Sequence, residues 1–444
     1  MFTSQQLKQR LSVVPDVRHY YVGLSGGLDS MVLLHALASL ALPVRAIHVH
    51  HGLSSNADSW QQHCEAVCQA LGVPLTVSRV EVRSEGAGVE EAARRARYQV
   101  FAQVIGPGDL LLLGHHRDDQ AETVLYRLLR GSGPRGLGAM SASRVLGAGR
   151  LLRPLLDQPR AALEDYARAH DLSWVEDESN QSRHYDRNYL RHEVLPVINA
   201  RWPDAAAALA GSAELCREVD TLLGELAALD LKSLVSASAP SDKCLPWSGL
   251  AGLSLARRHN LLRYWFQQAG MAAPGRQHLD ELDAQFFGVG VVASDCHERE
   301  LCSGEWRVRV FAGSLYLLPS ADWQPPAEGL WLDWLKPAQG ITLPGGDTLA
   351  WRPASRPGTG LAPRWLDSRW QVTWRRGGER CRPAGREHSQ TVKKLLQEYR
   401  LPTWLRARVP LLMVEGELAA VGDLWVCEAF SAAPDETGYQ CHWL

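Results

Sequence analysis

Six consecutive residues, Ser25-Gly26-Gly27-Leu28-Asp29-Ser30, carry the chemistry that is easiest to name. Two glycines let the backbone come close to an anion, and two serine hydroxyls can donate to phosphate oxygens. Asp29 is the odd member. A carboxylate beside phosphate is repelled unless a cation such as Mg²⁺ bridges the two. No G-x-x-x-x-G-K-S/T run is present, so this is not a Walker-type loop. The bland alternative is a glycine turn with a serine cap, which SGG alone would suggest. The full S-G-G-x-D-S pattern points instead to the phosphates of a nucleotide.

A second constellation lies near residue 119. Asp119 and Glu122 are three apart at the start of a helical pattern, hence on one face. One could receive an ammonium group or hold Mg²⁺; both could equally be acidic residues that favour the helix dipole. His115 could steady negative charge developing on phosphate or base, and Arg95 could contact phosphate or substrate. The runs HVHH and GHHRDD invite a metallohydrolase reading, but zinc needs three or four converging ligands and would leave the serine-glycine loop unexplained. Segment 47–50, with His48 and His50, reads better as a shelf that meets adenine through backbone groups. Arg187, Asn188 and Arg191 follow an acidic loop, Glu176 to Asn180, and could close over substrate or form surface ion pairs.

These residues need a scaffold that gathers them at one edge. Apolar runs at 19–24, 44–51, 74–82 and 109–114 predict strands. Helices are predicted over 30–41, 60–72, 89–105 and 120–131, with Gly72 placed to cap the second. This alternation predicts βαβ units and a doubly wound, mainly parallel sheet. The strand runs are continuous, as expected where helices cover both faces. Ligands bind at the carboxyl ends of such strands, and the loop at 25–30 follows the first one there.

The chain has 444 residues, nearly three times the ~150-residue unit of a typical domain. We divide it into 1–205, 206–325 and 326–444. A long helix over 207–234 serves as linker or brace, another helix covers 255–270, and 321–329 marks the second boundary. Beyond it lie strand-like pieces at 346–353 and 417–427 and a helix over 389–401. The net charge of −2 hides two basic segments. Residues 127–160 hold seven Arg against Asp157; residues 369–408 hold nine Arg and two Lys against three Glu. Each is a candidate footprint for a polyanion or a solvated basic face. Nine cysteines without a CxxC pair argue against a disulfide framework, a zinc ribbon and an iron–sulfur cluster. No apolar run reaches the length of a membrane span, and the N-terminus carries no secretory pattern, so a cytoplasmic protein is expected.

SGGLDS resembles the loop of the PP-loop, or N-type ATP pyrophosphatase, enzymes, which cleave ATP between its α and β phosphates. Further segments narrow the choice: IHVHHGL (47–53), EEAARRARY (90–98), GHHRDDQAET (114–123), RGSG (130–133), RPLL (153–156), EDESN (176–180) and YDRNYLR (185–191). Together they resemble the tRNA(Ile)-lysidine synthase family over roughly residues 15–200, and more weakly near the C-terminus. Thiolating relatives typically carry CxxC pairs, absent here.

The resemblance implies an adenine nucleotide alpha hydrolase-like α/β fold with two smaller C-terminal α/β domains that grip tRNA. It implies ATP and Mg²⁺, L-lysine, and the wobble cytidine of the CAU-anticodon isoleucine tRNA, which becomes lysidine with AMP and pyrophosphate released. Decoding would change from Met/AUG to Ile/AUA. Implied roles are catalytic for Asp119, Glu122, His115 and Arg95; ATP-binding for Ser25 through Ser30, His48 and His50; and metal-holding for Asp29 and Asp119. Arg187, Asn188, Arg191, Arg382, Lys393 and Lys394 would meet substrate or tRNA. The oligomeric state stays open, a homodimer among the options. The alternatives are another tRNA base-modifying enzyme of this ATP class and a non-catalytic RNA-binding protein. Intact Ser25, Asp29, Ser30, Asp119 and Glu122 speak against the second.

Overall fold

The computed structural model describes all residues except 1, 83–87, 179–181, 184, 236–243, 293–298, 321–323, 325, 327, 333–339, 345 and 444. Ser179, Asn180, Cys296 and most of the boundary expected at 321–329 lie outside the described residues. Two units emerge, Met1–Glu225 and Leu226–Leu444.

In the first unit the elements run α1 (Ser4–Leu11), β1 (His19–Gly23), α2 (Leu28–Ala38), β2 (Val44–His50), α3 (Ala57–Leu71), β3 (Leu75–Arg79), α4 (Val89–Val104) and β4 (Asp109–Leu112). They continue with α5 (Arg117–Leu129), α6 (Pro134–Leu137), β5 (Ser143–Leu146), β6 (Gly149–Leu152), α7 (Arg160–Ala169), α8 (Asp186–Tyr189), a π-helical turn Leu190–Val194, α9 (Leu195–Arg201) and α10 (Ala205–Val235), whose residues from Leu226 on belong to the second unit. The sheet order is β3-β2-β1-β4-β6-β5. All pairings are parallel except β5–β6, an antiparallel edge hairpin that the sequence reading did not contain.

Alternation along β4 explains why its apolar run is continuous. Leu110 and Leu112 pack into one core with Val22 and with Leu33, Leu34 and Leu37 of α2. Leu111 and Leu113 face the opposite core, with Ile47 and with Phe101 and Ile105 near the end of α4. Both faces are dry, as a parallel sheet between helices requires. Chain order reverses between β1 and β4, which makes their carboxyl ends the switch point. Gly72 caps α3 in the left-handed region at φ 66°, as expected.

The second unit holds two cores. One is an antiparallel four-stranded sheet covered by helices Leu255–Gln268 and Arg276–Phe287, with Trp265, Phe266, Val308 and Leu315 inside. The other joins antiparallel strands around Trp351, Trp370 and Leu411. The helix expected at 389–401 spans only Val392–Glu398, because the Thr391 hydroxyl accepts the Lys394 N–H and starts it later. Trp265, Trp351 and Trp370 are core material; Trp331 is exposed. Among the described residues no helix is long and apolar enough to cross a membrane.

Candidate active site

The SGGLDS loop leaves β1 at the carboxyl edge of the sheet and turns directly into α2. Gly26 sits at φ +89°, a conformation that favours glycine, and a Cβ there would lie 2.9 Å from Val175 Cγ2. The loop is braced internally. Ser25 and Ser30 hydroxyls lie 3.1 Å apart, Ser30 Oγ donates to Gly27 O at 2.9 Å, and Gly27 N–H donates to Ser25 Oγ at 3.3 Å. From outside, Val175 N–H donates to Gly26 O at 3.0 Å. No side chain caps α2, so its first-turn N–H groups and dipole face the loop. The Leu28 side chain is buried in the core, so only its backbone is available there.

A cleft of about 670 Å³ opens at this edge, lined by Ser25, Asp29, Ser30, Val49, His115 and Asp119 among others. Asp29 is in the first turn of α2, and its Oδ1 is buried with no hydrogen-bond partner among the described residues. Burial pushes its pKa up, against the pull of His116. Across the cleft, α5 begins at Arg117, earlier than expected, because His116 and Asp119 cap it. The His116 N–H donates to Asp119 Oδ2 at 3.0 Å. His116 Nε2 lies 3.7 Å from Asp29 Oδ2 and 3.5 Å from Asp119 Oδ2. Burial alone would depress this histidine, but Asp118, Asp119 and Asp29 surround it and push its pKa up to about 9. The three carboxylates therefore favour the charged form of this ring.

Asp119 and Glu122 share one face of α5, as their spacing predicts. Burial opposes ionisation of Asp119; the charge of His116, with Arg187 and the His116 N–H, outweighs it and holds its carboxyl below the usual range. Glu122 is almost fully buried and takes a two-pronged contact from Arg191, Nε to Oε1 at 2.5 Å and Nη2 to Oε2 at 2.9 Å. Arg191 Nη2 also donates to Asp119 Oδ1 at 3.3 Å, and Arg187 Nε lies 3.6 Å from Glu122 Oε2. The two arginines thus pair with Asp119 and buried Glu122 rather than with a surface helix. Asn188 lines the cleft and donates to Ser182 O at 2.9 Å.

His115 accepts from Arg153 Nε at 3.2 Å through Nδ1, and burial is the main force taking its pKa down to about 3. It is a neutral ring, not a cation. His48 donates from Nδ1 to Leu24 O at 2.9 Å, and His50 Nε2 faces Asp58 Oδ1 at 3.2 Å. The His48 imidazole is engaged by protein, whereas the buried His50 Nε2 makes no hydrogen bond among the described residues. Ile47 O accepts from Leu24 N–H, so by strand alternation Val49 turns its backbone groups to the same side, past the end of β1. Val49 offers the backbone edge of the expected adenine shelf.

Arg95 is a correction. Its side chain is exposed, lies 3.7 Å from Glu91, and is absent from the cleft wall, which takes Arg94 and Arg97 instead. Those two are three apart on one helical face, whereas Arg95 is rotated about 100° away. His116, Arg153 and Val49 were given no individual role in the sequence, although each stood inside a segment already singled out. Among the described residues no group of three or more His, Cys, Asp or Glu is gathered to hold a metal. Arg382, Lys393 and Lys394 lie in the second unit and are exposed.

Three family matches cover the chain in order. A PP-loop domain spans residues 3–198, a TilS substrate binding domain 245–316, and a TilS substrate C-terminal domain 370–443. The tRNA(Ile)-lysidine synthase of Serratia proteamaculans is 42% identical over 96% of this chain and 95% of its own length. That of Pseudomonas aeruginosa is 44% identical over 99% and 96%, and that of Coxiella burnetii 36% identical over 99% and 96%. This chain belongs to the tRNA(Ile)-lysidine synthase family. As a tRNA(Ile)-lysidine synthase family member it is a tRNA-modifying ligase with a PP-loop ATP-binding domain.

Proposed function

We propose that the chain joins free L-lysine to C2 of the wobble cytidine of the CAU-anticodon isoleucine tRNA, through an adenylated tRNA. The observation that carries the reading is the meeting of the SGGLDS loop with Asp119 across one cleft, with Glu122 buried on the same face of α5. The cytidine O2 attacks the α phosphorus of ATP, and pyrophosphate leaves from the loop. The lysine side-chain amine then attacks C2, AMP departs with O2, and a proton is lost from nitrogen. The products are lysidine, AMP and pyrophosphate, and the anticodon changes its reading from Met/AUG to Ile/AUA.

Each group has work in that sequence. Ser25, Gly27 and the start of α2 receive phosphate, and Val49 meets the adenine edge. Asp119, on the cleft wall, receives the lysine ammonium, whose reference pKa near 10.4 requires loss of a proton before attack, while buried Glu122 holds Arg191 in place. Arg187 and Arg191 balance those acids. The donor set suits Mg²⁺, a hard cation usually held by one or two carboxylates plus substrate phosphates. Asp29, with its unpartnered buried Oδ1, and Asp119 would hold it. When bound, the ion neutralises phosphate charge. In the second unit, exposed Arg382, Lys393 and Lys394 supply phosphate contacts that position tRNA without reading sequence.

The test is incubation with labelled lysine, ATP and a CAU-anticodon transcript, followed by identification of the product nucleoside. Lysidine is expected. Incorporation of another group, or none, would sink the reading.

A further inference from the structure

We propose that Arg153 is a positioning residue for the adenylation step, fixing His115 as the tautomer that carries its only ring proton on Nε2. The inference rests on the activity proposed above.

Arg153 follows β6 directly and is 4% exposed. Each side of its guanidinium is used. Nη1 donates to Ser141 O at 2.7 Å, Nη2 to Tyr98 Oη at 3.2 Å, and Nε to His115 Nδ1 at 3.2 Å. Its backbone N–H donates to Ala142 O at 2.7 Å. Tyr98 is held in turn, with Arg94 and Arg144 guanidinium carbons 4.9 and 4.7 Å from its ring centre. The side chain therefore has little freedom to turn away from His115.

An arginine side chain offers donors only and keeps its proton in proteins. The Nδ1 atom it faces must therefore be the acceptor, and a neutral imidazole then bears hydrogen on Nε2. Among the described residues none is hydrogen-bonded to that Nε2, while His115 lines the cleft with Asp29 and Ser25. A second cation beside Arg153 is disfavoured, in keeping with the depressed basicity of the ring. The consequence is chemical. A neutral N–H polarises a phosphate or base oxygen without protonating it, whereas a histidinium of ordinary acidity could protonate the cytidine O2 that has to attack. Without Arg153, either ring nitrogen can carry the proton, and part of the population turns a lone pair toward the cleft.

The experiment uses the full chain labelled with ¹⁵N-histidine, with His115 assigned by comparison with His115→Gln. In the wild type, NMR should show Nδ1 unprotonated and Nε2 protonated between pH 6 and 8. Arg153→Met should mix the tautomers and lower kcat for tRNA-dependent pyrophosphate release by about tenfold to a hundredfold, with the KM for ATP unchanged. That is the scale on which orienting partners of an imidazole act. Tyr98→Phe, which leaves the Nε contact in place, should keep the tautomer and most of kcat. A proton on Nδ1 in the wild type overturns the proposal even if Arg153→Met fails to fold. So does native kcat in Arg153→Met. A wild type with the expected tautomer but no lysidine product would instead overturn the activity reading, and the catalytic half of this proposal with it.

Discussion

At the scale of the residue, two carboxylates and two histidines decide most outcomes. Asp29→Ala should abolish pyrophosphate release while tRNA binding, measured by filter retention, stays near native. Asp29 Oδ1 has no hydrogen-bond partner among the described residues and Oδ2 faces His116 only at 3.7 Å, so the loss would be chiefly one of phosphate and metal chemistry. Asp119→Asn keeps an oxygen for the His116 N–H and so keeps the cap of α5. It should lose lysidine formation by about a hundredfold or more, the scale of one electrostatic contact in a closed site. Undiminished turnover at saturating lysine and Mg²⁺ would remove Asp119 from the reaction. His51 gives a pH test. Burial, with Arg97, His48 and His50 nearby, takes its pKa down to about 4. Unfolded, it titrates near 6.5. Between those values the unfolded chain holds a proton that the folded chain lacks, so stability falls as pH drops from 6.5 to about 4. His51→Gln should flatten the urea midpoint across that window relative to wild type. Asp29 and Asp119 were legible because local motifs carry them. The partners of Asp119, Glu122 and His115 were not, since Arg191 lies 69 residues from Glu122 and Arg153 lies 38 from His115. Pairing at such separations leaves no periodic trace.

At the scale of the element, the site depends on how closely the end of β4 approaches the start of α2. A Cβ on Gly114 would lie 2.8 Å from Asp29 O, a backbone atom that cannot swing aside. Gly114→Ala should therefore cost about 1–3 kcal/mol in thermal or urea unfolding and weaken ATP binding, because the loop must shift. Gly72→Ala is the contrast. That position has positive φ but open space, so about 1 kcal/mol is expected, with ATP affinity unchanged. If both substitutions affect ATP alike, the close approach does not set the loop. The βαβ succession was readable from continuous apolar runs. The β5–β6 hairpin was not, since Ser143–Leu146 is short and carries two exposed residues. Helical phase was the other failure. Arg94, Arg95 and Arg97 share one sequence run, and only the packing of α4 shows which of them face the cleft.

At the scale of the whole molecule, charge needs recounting. Residues 369–408 net about +8 with Glu379 and Glu398 already counted, which pair with Arg375 and Arg386; Asp347, from outside the segment, engages Arg408 as well. The tRNA-gripping proposal therefore rests on fewer cations. Replacing Arg382, Lys393 and Lys394 together by Ala should raise the KM for tRNA. It should also flatten the slope of log affinity against log salt by about two to three units, roughly one per lost phosphate contact. ATP affinity serves as the folding control. An unchanged slope would leave those three merely solvated and shift attention to the 127–160 segment. Tryptophan was the less readable quantity here: composition could not separate core from surface, and several of the sixteen are core. One last consequence concerns order of manufacture. Gly26 receives the N–H of Val175, Asp119 the donors of Arg191, and His115 those of Arg153. A chain growing from the ribosome makes its phosphate loop among the first thirty residues, yet the braces for that edge emerge much later. N-terminal segments fold first during synthesis, so the sheet can form early while its nucleotide edge stays unfinished until about residue 191 is free. The nascent protein is thus kept from assembling a working site until most of its first unit has been made.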